Sequence, residues 1–189
     1  VHQEKEKRVP AFIKKNEKIS ATSKGTVIHK VLELLNFSKD HTMKSLNEDI
    51  KEWIDQGKLK KEYDKVIYRK EILALTNSQL GKRMKIADQK KRLYKERQFV
   101  TGIPFSDMNQ EAKTDDFVVV QGIIDAYFEE DGELILVDYK TDRIRSSRIL
   151  LDHYQKQLDY YARALTQLTR KNVREKWIYS MTMQKAIQC

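Results

Sequence analysis

The sequence predicts an α/β domain built on a mixed central sheet, with its elements in the order α–β–β–β–α–β. Two observations predict this class. Apolar residues recur at helical spacing in the first half of the chain, and then give way to the Val, Ile and aromatic runs that are typical of strands. A long amphipathic segment later separates two strands, and a strand–helix–strand connection indicates a parallel pair within the sheet.

The first half of the chain is predicted to be helical. Ser and Thr residues within 20–23 provide N-caps for a helix over residues 24–36, whose apolar positions share one face. A helical insert is expected to follow over about residues 40–90. Gly57 and Gly81 are the predicted breaks within it.

The second half of the chain carries the predicted sheet. A helix with a broad buried stripe is expected in it, because leucines and tyrosines recur there at intervals of three and four. The predicted strands cover residues 93–100, 117–128, 133–139 and 175–182, and the helix covers residues 147–169.

Composition allows one compact domain and excludes several classes of protein. Residues 1–19 are expected to be a charged leader, and residues 20–189 a single domain. No apolar run approaches the roughly 18 residues of a membrane span and no secretory signal is present, so we expect a cytoplasmic protein without a membrane partner. The only cysteine is Cys189, which excludes an internal disulfide and a cysteine zinc site. Because the chain begins at Val1 rather than Met, we expect a fragment of a longer protein.

The chain is basic, with a formal net charge of +9 from 37 Lys and Arg against 28 Asp and Glu. Such an excess suits a polyanionic partner, because each neutralised phosphate releases counterions. Many basic proteins bind no nucleic acid, so charge alone does not separate the two possibilities.

A two-residue turn fixes the most informative geometry. Asp131-Gly132 is a strong hairpin signal because Gly tolerates a positive φ. Counting outward along both strands from such a turn brings Asp125 directly opposite Asp138, with Cβ atoms about 4.5–5.5 Å apart. A loop longer by an even number of residues would move them to a diagonal on the same face.

The opposed acids predict a metal site. Their neighbours along both strands are apolar, and burying unpartnered charges costs several kcal/mol. A divalent cation removes this conflict, and carboxylate ligands suit Mg²⁺ or Mn²⁺. Lys140 lies two residues beyond Asp138 and therefore on the same face, where an ammonium can stabilise phosphoryl charge or orient water. The alternative is a solvated acidic pair at the sheet edge, salt-bridged to Lys140 and Arg143.

Four segments, in this order, resemble the RecB-type nucleases of the PD-(D/E)xK superfamily. The superfamily has a restriction-endonuclease-like fold with a mixed central sheet. The similarity is closest to the C-terminal nuclease domain of the AddA (RexA) subunit of bacterial helicase–nuclease complexes, and it extends over about residues 20–183. The segments are Gly25-Thr26-Val27-Ile28-His29, Gln121-Gly122-Ile123-Ile124-Asp125, Val137-Asp138-Tyr139-Lys140-Thr141-Asp142 and Gln157-Leu158-Asp159-Tyr160-Tyr161.

The resemblance implies a set of metal ligands. These are His29 on the first helix, the two acids Asp125 and Asp138, and the backbone carbonyl of Tyr139. For an isolated His29, a role as an ordinary surface or core residue would be favoured. Glu96 is a weaker candidate for an additional acid, because it also fits a solvated charge run in the first strand.

The resemblance also implies catalytic residues. Lys140 matches the catalytic lysine, and Gln157 and Tyr161 match two helix residues that lie four apart on one face, near the site and the DNA. Tyr161 also fits the buried stripe of its helix. Asp142 and Arg143 can contact phosphate, with a solvated loop end as the alternative.

The activity implied by the resemblance is Mg²⁺-dependent hydrolysis of DNA, with Mn²⁺ as a substitute. The expected substrate is single-stranded DNA generated at double-strand breaks, cut by an exonuclease in DNA repair and recombination alongside an AddB (RexB)-like second subunit. The chain has no phosphate-binding loop of the Walker type, hence no ATP site, and too few cysteines for an iron–sulfur cluster. The alternatives are an inactive nuclease-like module that binds DNA or a partner, and a helical interaction domain with an incidental acidic pair.

Overall fold

A computed structural model describes residues 24–104 and 117–189 of the chain. The predicted leader over residues 1–19 lies outside the described residues. A five-stranded mixed sheet has the order β1-β2-β3-β4-β5, and β3 and β4 are its parallel pair. The helices are α1 (Lys24–Leu34), α2 (Met43–Asp55), α3 (Arg69–Asn77), α4 (Gln79–Gln89) and α5 (Ser147–Thr169), with a 3₁₀ turn at Lys61–Val66. The strands are β1 (Leu93–Pro104), β2 (Phe117–Glu130), β3 (Glu133–Lys140), β4 (Val173–Ser180) and β5 (Lys185–Gln188).

The predicted α–β–β–β–α–β order is confirmed, with α5 as the crossover between the parallel strands β3 and β4. The short strand β5, which pairs antiparallel with β4, was not predicted. Within the described residues no helix is long and apolar enough to cross a bilayer.

The helical insert contains α2, the 3₁₀ turn, α3 and α4. Thr42 begins α2 with a capping box, and Gly57 follows its end with a φ of 70°. The predicted break at Gly81 is wrong, since Gly81 lies in the first turn of α4, whose N-cap is Ser78. A Cβ on Gly81 would lie 2.1 Å from the Leu75 carbonyl oxygen, so this glycine permits close packing of α4 on α3.

The hairpin between β2 and β3 has the predicted turn. Asp131 and Gly132 both have positive φ, 54° and 84°, as a tight primed turn requires. The pairing runs outward in the predicted register and ends at Ala126 and Val137. The prediction that Asp125 and Asp138 face each other within the ladder is therefore corrected, because both lie one residue beyond its last pair.

Two cores flank the sheet, and the strands β1 and β2 contribute to both. The first core joins α1–α4 to Ala126 and Leu93, whereas the second core joins α5 to Ile124 and Phe99. Residues two apart in a regular strand share one face, so β2 changes faces between Ile124 and Ala126. Strand β1 changes faces between Leu93 and Phe99, which also have the same parity.

The change of face in β2 falls at Asp125, and the opposite position in β1 is Glu96, which lies within the segment where β1 changes face. Lys95 pairs with Ala126 and Arg97 with Ile124 in one register without insertion, so only the Glu96–Asp125 position between them is unpaired. Glu96 has a φ of 48°, a left-handed conformation that is uncommon for a residue with a side chain. The outer parts of β1 and β2 therefore fold over α5 and leave two acids at the bend.

Candidate metal centre

Three side chains from three elements converge at this bend. Within the part of the chain that the structure describes, His29 of α1, Glu96 of β1 and Asp125 of β2 each place one ligand atom within 4.8 Å of the others. His29 Nδ1 lies 3.1 Å from Asp125 Oδ1 and 3.8 Å from Glu96 Oε1. One nitrogen and two carboxylates can hold a divalent ion.

Asp125 is fixed where β2 leaves β3. Its Oδ2 accepts a hydrogen bond from the backbone N–H of Tyr139 at 2.8 Å, so the side chain satisfies a donor beyond the end of the β2–β3 ladder. Only 9% of Asp125 is exposed. The remaining oxygen, Oδ1, faces His29.

His29 lies at the edge of the buried face of α1. Its neighbours Ile28 and Val31 are fully buried, while the imidazole keeps 31% of its surface exposed. Burial alone would lower the pKa of His29, but Asp125 and Glu96 outweigh it and raise the pKa to about 10. Without a metal, the imidazolium is the cation that offsets the charge of the two acids.

A half-buried lysine ties α1 to the bend. Lys95, the residue before Glu96, donates hydrogen bonds through Nζ to the backbone carbonyls of Glu33 and Leu35 at the end of α1. A cation satisfies the last carbonyls of a helix and complements its dipole. This contact holds the helix that carries His29 against the strand that carries Glu96.

Asp138 and Lys140 form a buried ion pair beside this cluster. The Lys140 Nζ lies 2.7 Å from Asp138 Oδ2, and Asp138 is 4% exposed. Burial raises the pKa of Asp138 to about 6, despite the lowering effect of Lys140. Burial opposes the charge on Lys140, yet the attraction of Asp138 prevails and holds the pKa of the ammonium above its ordinary value.

A chain of polar contacts connects Lys140 to α5. Lys140 Nζ donates to Gln157 Oε1 at 3.2 Å, and Gln157 Nε2 donates to the Tyr161 hydroxyl at 3.0 Å. Tyr161 in turn packs against β2, where a Cβ on Gly122 would lie 3.0 Å from its hydroxyl oxygen. The glycine of the Gln-Gly-Ile-Ile-Asp segment thus makes room for the tyrosine of the α5 segment.

Sequence reasoning missed one residue of this site. Tyr154 covers Lys140, with the Nζ 4.1 Å from its ring centroid, and its hydroxyl donates to Asp142 Oδ2 at 2.8 Å. The signal was available, since Tyr154 lies three residues before Gln157 and three-residue spacing shares a helix face. Tyr154 was not chosen as a site residue because it also fits the apolar stripe of α5.

The structure brings the predicted site residues to one region, with one difference of arrangement. Glu96, the weaker candidate, belongs to the compact triad, whereas Asp138 pairs with Lys140 outside it. Asp138 raises the pKa of His29, and Asp125 raises the pKa of Asp138, so the triad and the Asp138–Lys140 pair are neighbours. The carbonyl of Tyr139 as a ligand stays a prediction.

Comparison with known families gives one match over almost the whole chain. A family model described as the PD-(D/E)XK nuclease superfamily matches residues 3–186. These residues include the triad, the Asp138–Lys140 pair and the α5 residues that contact it.

Similar curated proteins share one name, that of the A subunit of an ATP-dependent helicase/nuclease. The protein of that name from Lachnoclostridium phytofermentans is 35% identical and matches 97% of this chain and 16% of its own length. Those from Clostridium botulinum (strain Langeland) and Clostridium beijerinckii are 33% and 34% identical, over 97% and 100% of this chain and 14% and 16% of their own. The chain thus spans about one-seventh of the length of these relatives. A solved structure titled "Crystal structure of SSO0001" matches 86% of this chain and 64% of its own at 13% identity, with a TM-score of 0.38 that supports no argument.

Proposed function

This chain belongs to the PD-(D/E)XK nuclease superfamily, and from that premise we propose that it hydrolyses phosphodiester bonds in DNA with a divalent metal ion. The observation that carries the proposal is the convergence of His29, Glu96 and Asp125 within 4.8 Å of one another. Beside them lie a buried carboxylate and an ammonium, Asp138 and Lys140, 2.7 Å apart. Such a group of charges has a cost to folding that a bound cation offsets.

The donor atoms fit a hard divalent cation. Carboxylate oxygens dominate the cluster, and the buried Oδ2 of Asp138 lies beside it, 2.7 Å from the Lys140 ammonium. We propose Mg²⁺, with Mn²⁺ as a substitute, held by His29, Glu96, Asp125 and Asp138 together with the Tyr139 carbonyl. When bound, such an ion supplies positive charge that polarises the phosphodiester and favours attack by water.

The side chains around the cluster have separate tasks. Lys140 is a cation beside the developing phosphoryl charge, and the attraction of Asp138, 2.7 Å away, holds the pKa of its ammonium above the ordinary value. Gln157 orients that ammonium through its Oε1, and Tyr161 holds the amide of Gln157 in place. Asp125 and Glu96 supply the carboxylates on the bend.

The surface beside the cluster suits a phosphate backbone. Arg143, Arg145 and Arg148 are all exposed and follow Lys140 directly in the loop and first turn of α5. One arginine guanidinium group can donate two parallel hydrogen bonds to a phosphate group, and such contacts do not depend on the base sequence. They support DNA as the substrate.

Cleavage assays test the proposal directly. Plasmid and single-stranded DNA are incubated with wild type, Asp138→Ala and Lys140→Ala in Mg²⁺, in Mn²⁺ and in chelator. We expect wild type to cut only with metal, and each substitution to lower the rate by roughly a hundredfold or more. Asp152→Ala and Lys156→Ala, which change exposed residues of α5, are matched controls and should cut normally. Equal activity in wild type and both site variants would refute the assignment.

We further propose that this domain is the nuclease part of a helicase–nuclease and degrades single strands from their ends at double-strand breaks. The shared name of the relatives supports a helicase–nuclease context, and an AddB (RexB)-like second subunit is the proposed partner. A comparison of linear with circular single-stranded DNA tests the mode of cleavage. An exonuclease leaves the circle intact, whereas cutting of both substrates at equal rates would contradict the exonuclease proposal and leave hydrolysis itself standing.

A further inference from the structure

The ammonium of Lys140 has a third neighbour besides its carboxylate and amide partners. The aromatic face of Tyr154 lies over it, with Nζ 4.1 Å from the ring centroid. Asp138 Oδ2 and Gln157 Oε1 are the other two neighbours, at 2.7 and 3.2 Å. Tyr154 and Gln157 stand three residues apart on α5, so consecutive turns of one helix bracket the ammonium.

The ring itself is anchored at its far end. The Tyr154 hydroxyl donates to Asp142 Oδ2 at 2.8 Å, which ties the second turn of α5 to the loop that leaves β3 two residues after Lys140. A ring fixed at its hydroxyl and at its Cβ has little freedom to leave the ammonium. The contact is therefore part of a closed set of interactions around Lys140.

A fixed position matters for a lysine more than for most side chains. Its four-carbon stem has many rotamers, and ordering them costs free energy that the enzyme must supply before the chemical step. A cation over an aromatic face is attracted without losing its charge or its capacity to donate. The ring thus restrains the ammonium while leaving N–H groups for a phosphate.

We propose that Tyr154 is a positioning residue for Lys140, aiming the ammonium at the reacting phosphate, with Asp142 as the anchor of the ring. The inference rests on the proposed nuclease function. It predicts a loss in the chemical step and not in DNA or metal binding, because Tyr154 acts through Lys140.

The test compares Tyr154→Leu with Tyr154→Phe in steady-state cleavage of single-stranded DNA with Mn²⁺. The leucine variant removes the ring, and we expect kcat to fall roughly tenfold while KM stays within about twofold. The phenylalanine variant keeps the ring over Lys140 but loses the bond to Asp142 that anchors it, so its kcat should lie between those of wild type and the leucine variant. Asp142→Ala should match the phenylalanine variant, and the Mn²⁺-induced rise in melting temperature should be the same in all of them.

A second measurement needs no activity. The Lys140 ammonium lies over the ring face, so the NMR signals of the adjoining ε-methylene protons should be shifted upfield in wild type and Tyr154→Phe, and not in Tyr154→Leu. Absence of that shift in wild type overturns the contact. A rise in KM at constant kcat in Tyr154→Leu shows that the ring contacts DNA itself, and an unchanged kcat also overturns the proposal.

The two proposals fail in different ways. If wild type cuts no DNA with Mg²⁺ or Mn²⁺, the nuclease proposal fails, and the positioning inference fails with it. If Lys140→Ala is inactive while Tyr154→Leu cuts like wild type, only the positioning inference fails.

Discussion

Replacing Lys140 with methionine should destabilise the metal-free protein strongly, because it leaves Asp138 buried without its ion-pair partner. Asp138 is 4% exposed and the Lys140 side chain 15%, so the pair is largely shielded from water. Removing one member of a buried pair costs about 3–5 kcal/mol. We expect the lower value, about 3 kcal/mol, because His29 also attracts Asp138. For a domain of this size that corresponds to a fall in Tm of roughly 6–12 °C.

Metal should reverse most of this loss. A metal cation bound beside Asp138 neutralises its charge in place of the lysine. The difference in free energy of unfolding between wild type and Lys140→Met should therefore shrink to about 1 kcal/mol in saturating Mn²⁺. The assay is urea denaturation followed by circular dichroism, in chelator and in Mn²⁺. Lys156→Met, on the exposed side of α5, is the matched control and should change stability by no more than about 0.5 kcal/mol. A loss below about 1 kcal/mol in chelator, or an equal loss in both conditions, would refute this reasoning.

Two further predictions concern other parts of the fold. The hydrogen bonds from Arg83 hold the pKa of Glu175 at about 2, below its ordinary value of 4.5, so this pair stabilises the fold above about pH 4.5 and the contribution disappears as pH falls towards 2. Thermal melts should therefore show wild type losing more stability than Glu175→Gln between pH 5 and pH 2.5, and parallel curves would contradict the assignment. Gly122→Ala places a Cβ 3.0 Å from both the Tyr161 hydroxyl and the Phe99 ring, which should cost about 1–3 kcal/mol and lower the cleavage rate by displacing Tyr161. Normal cleavage by a destabilised variant would show that the position of Tyr161 is unimportant for the reaction.

The sequence predicted the features that depend on local chemistry. The register of the β2–β3 hairpin follows from Asp131 and Gly132, because a two-residue turn with positive φ allows one pairing. The helix over residues 147–169 was predicted with both its ends, because its apolar residues recur at helical spacing without interruption; in the structure Ser146 caps its start.

The features it did not predict depend on packing between distant segments. The ladder ends before Asp125 because the outer part of β2 folds over α5, and nothing in the strand pattern signals that bend. Glu96 was a weak candidate because Lys95 and Arg97 flank it in an apparent charge run. In the structure the side chains of both neighbours point away from Glu96. Lys95 bonds to the end of α1, and Arg97 lies over the ring of Tyr94.

The left-handed backbone at Glu96 has a consequence for engineering this domain. Such a conformation costs about 1 kcal/mol or more in a residue with a side chain, and glycine relieves it. Glu96→Gly would therefore raise the free energy of unfolding of the metal-free protein while removing one of the carboxylates at the bend. Selection for thermostability alone would favour loss of the Glu96 carboxylate. A screen for thermostable variants therefore has to measure metal binding as well as the melting temperature.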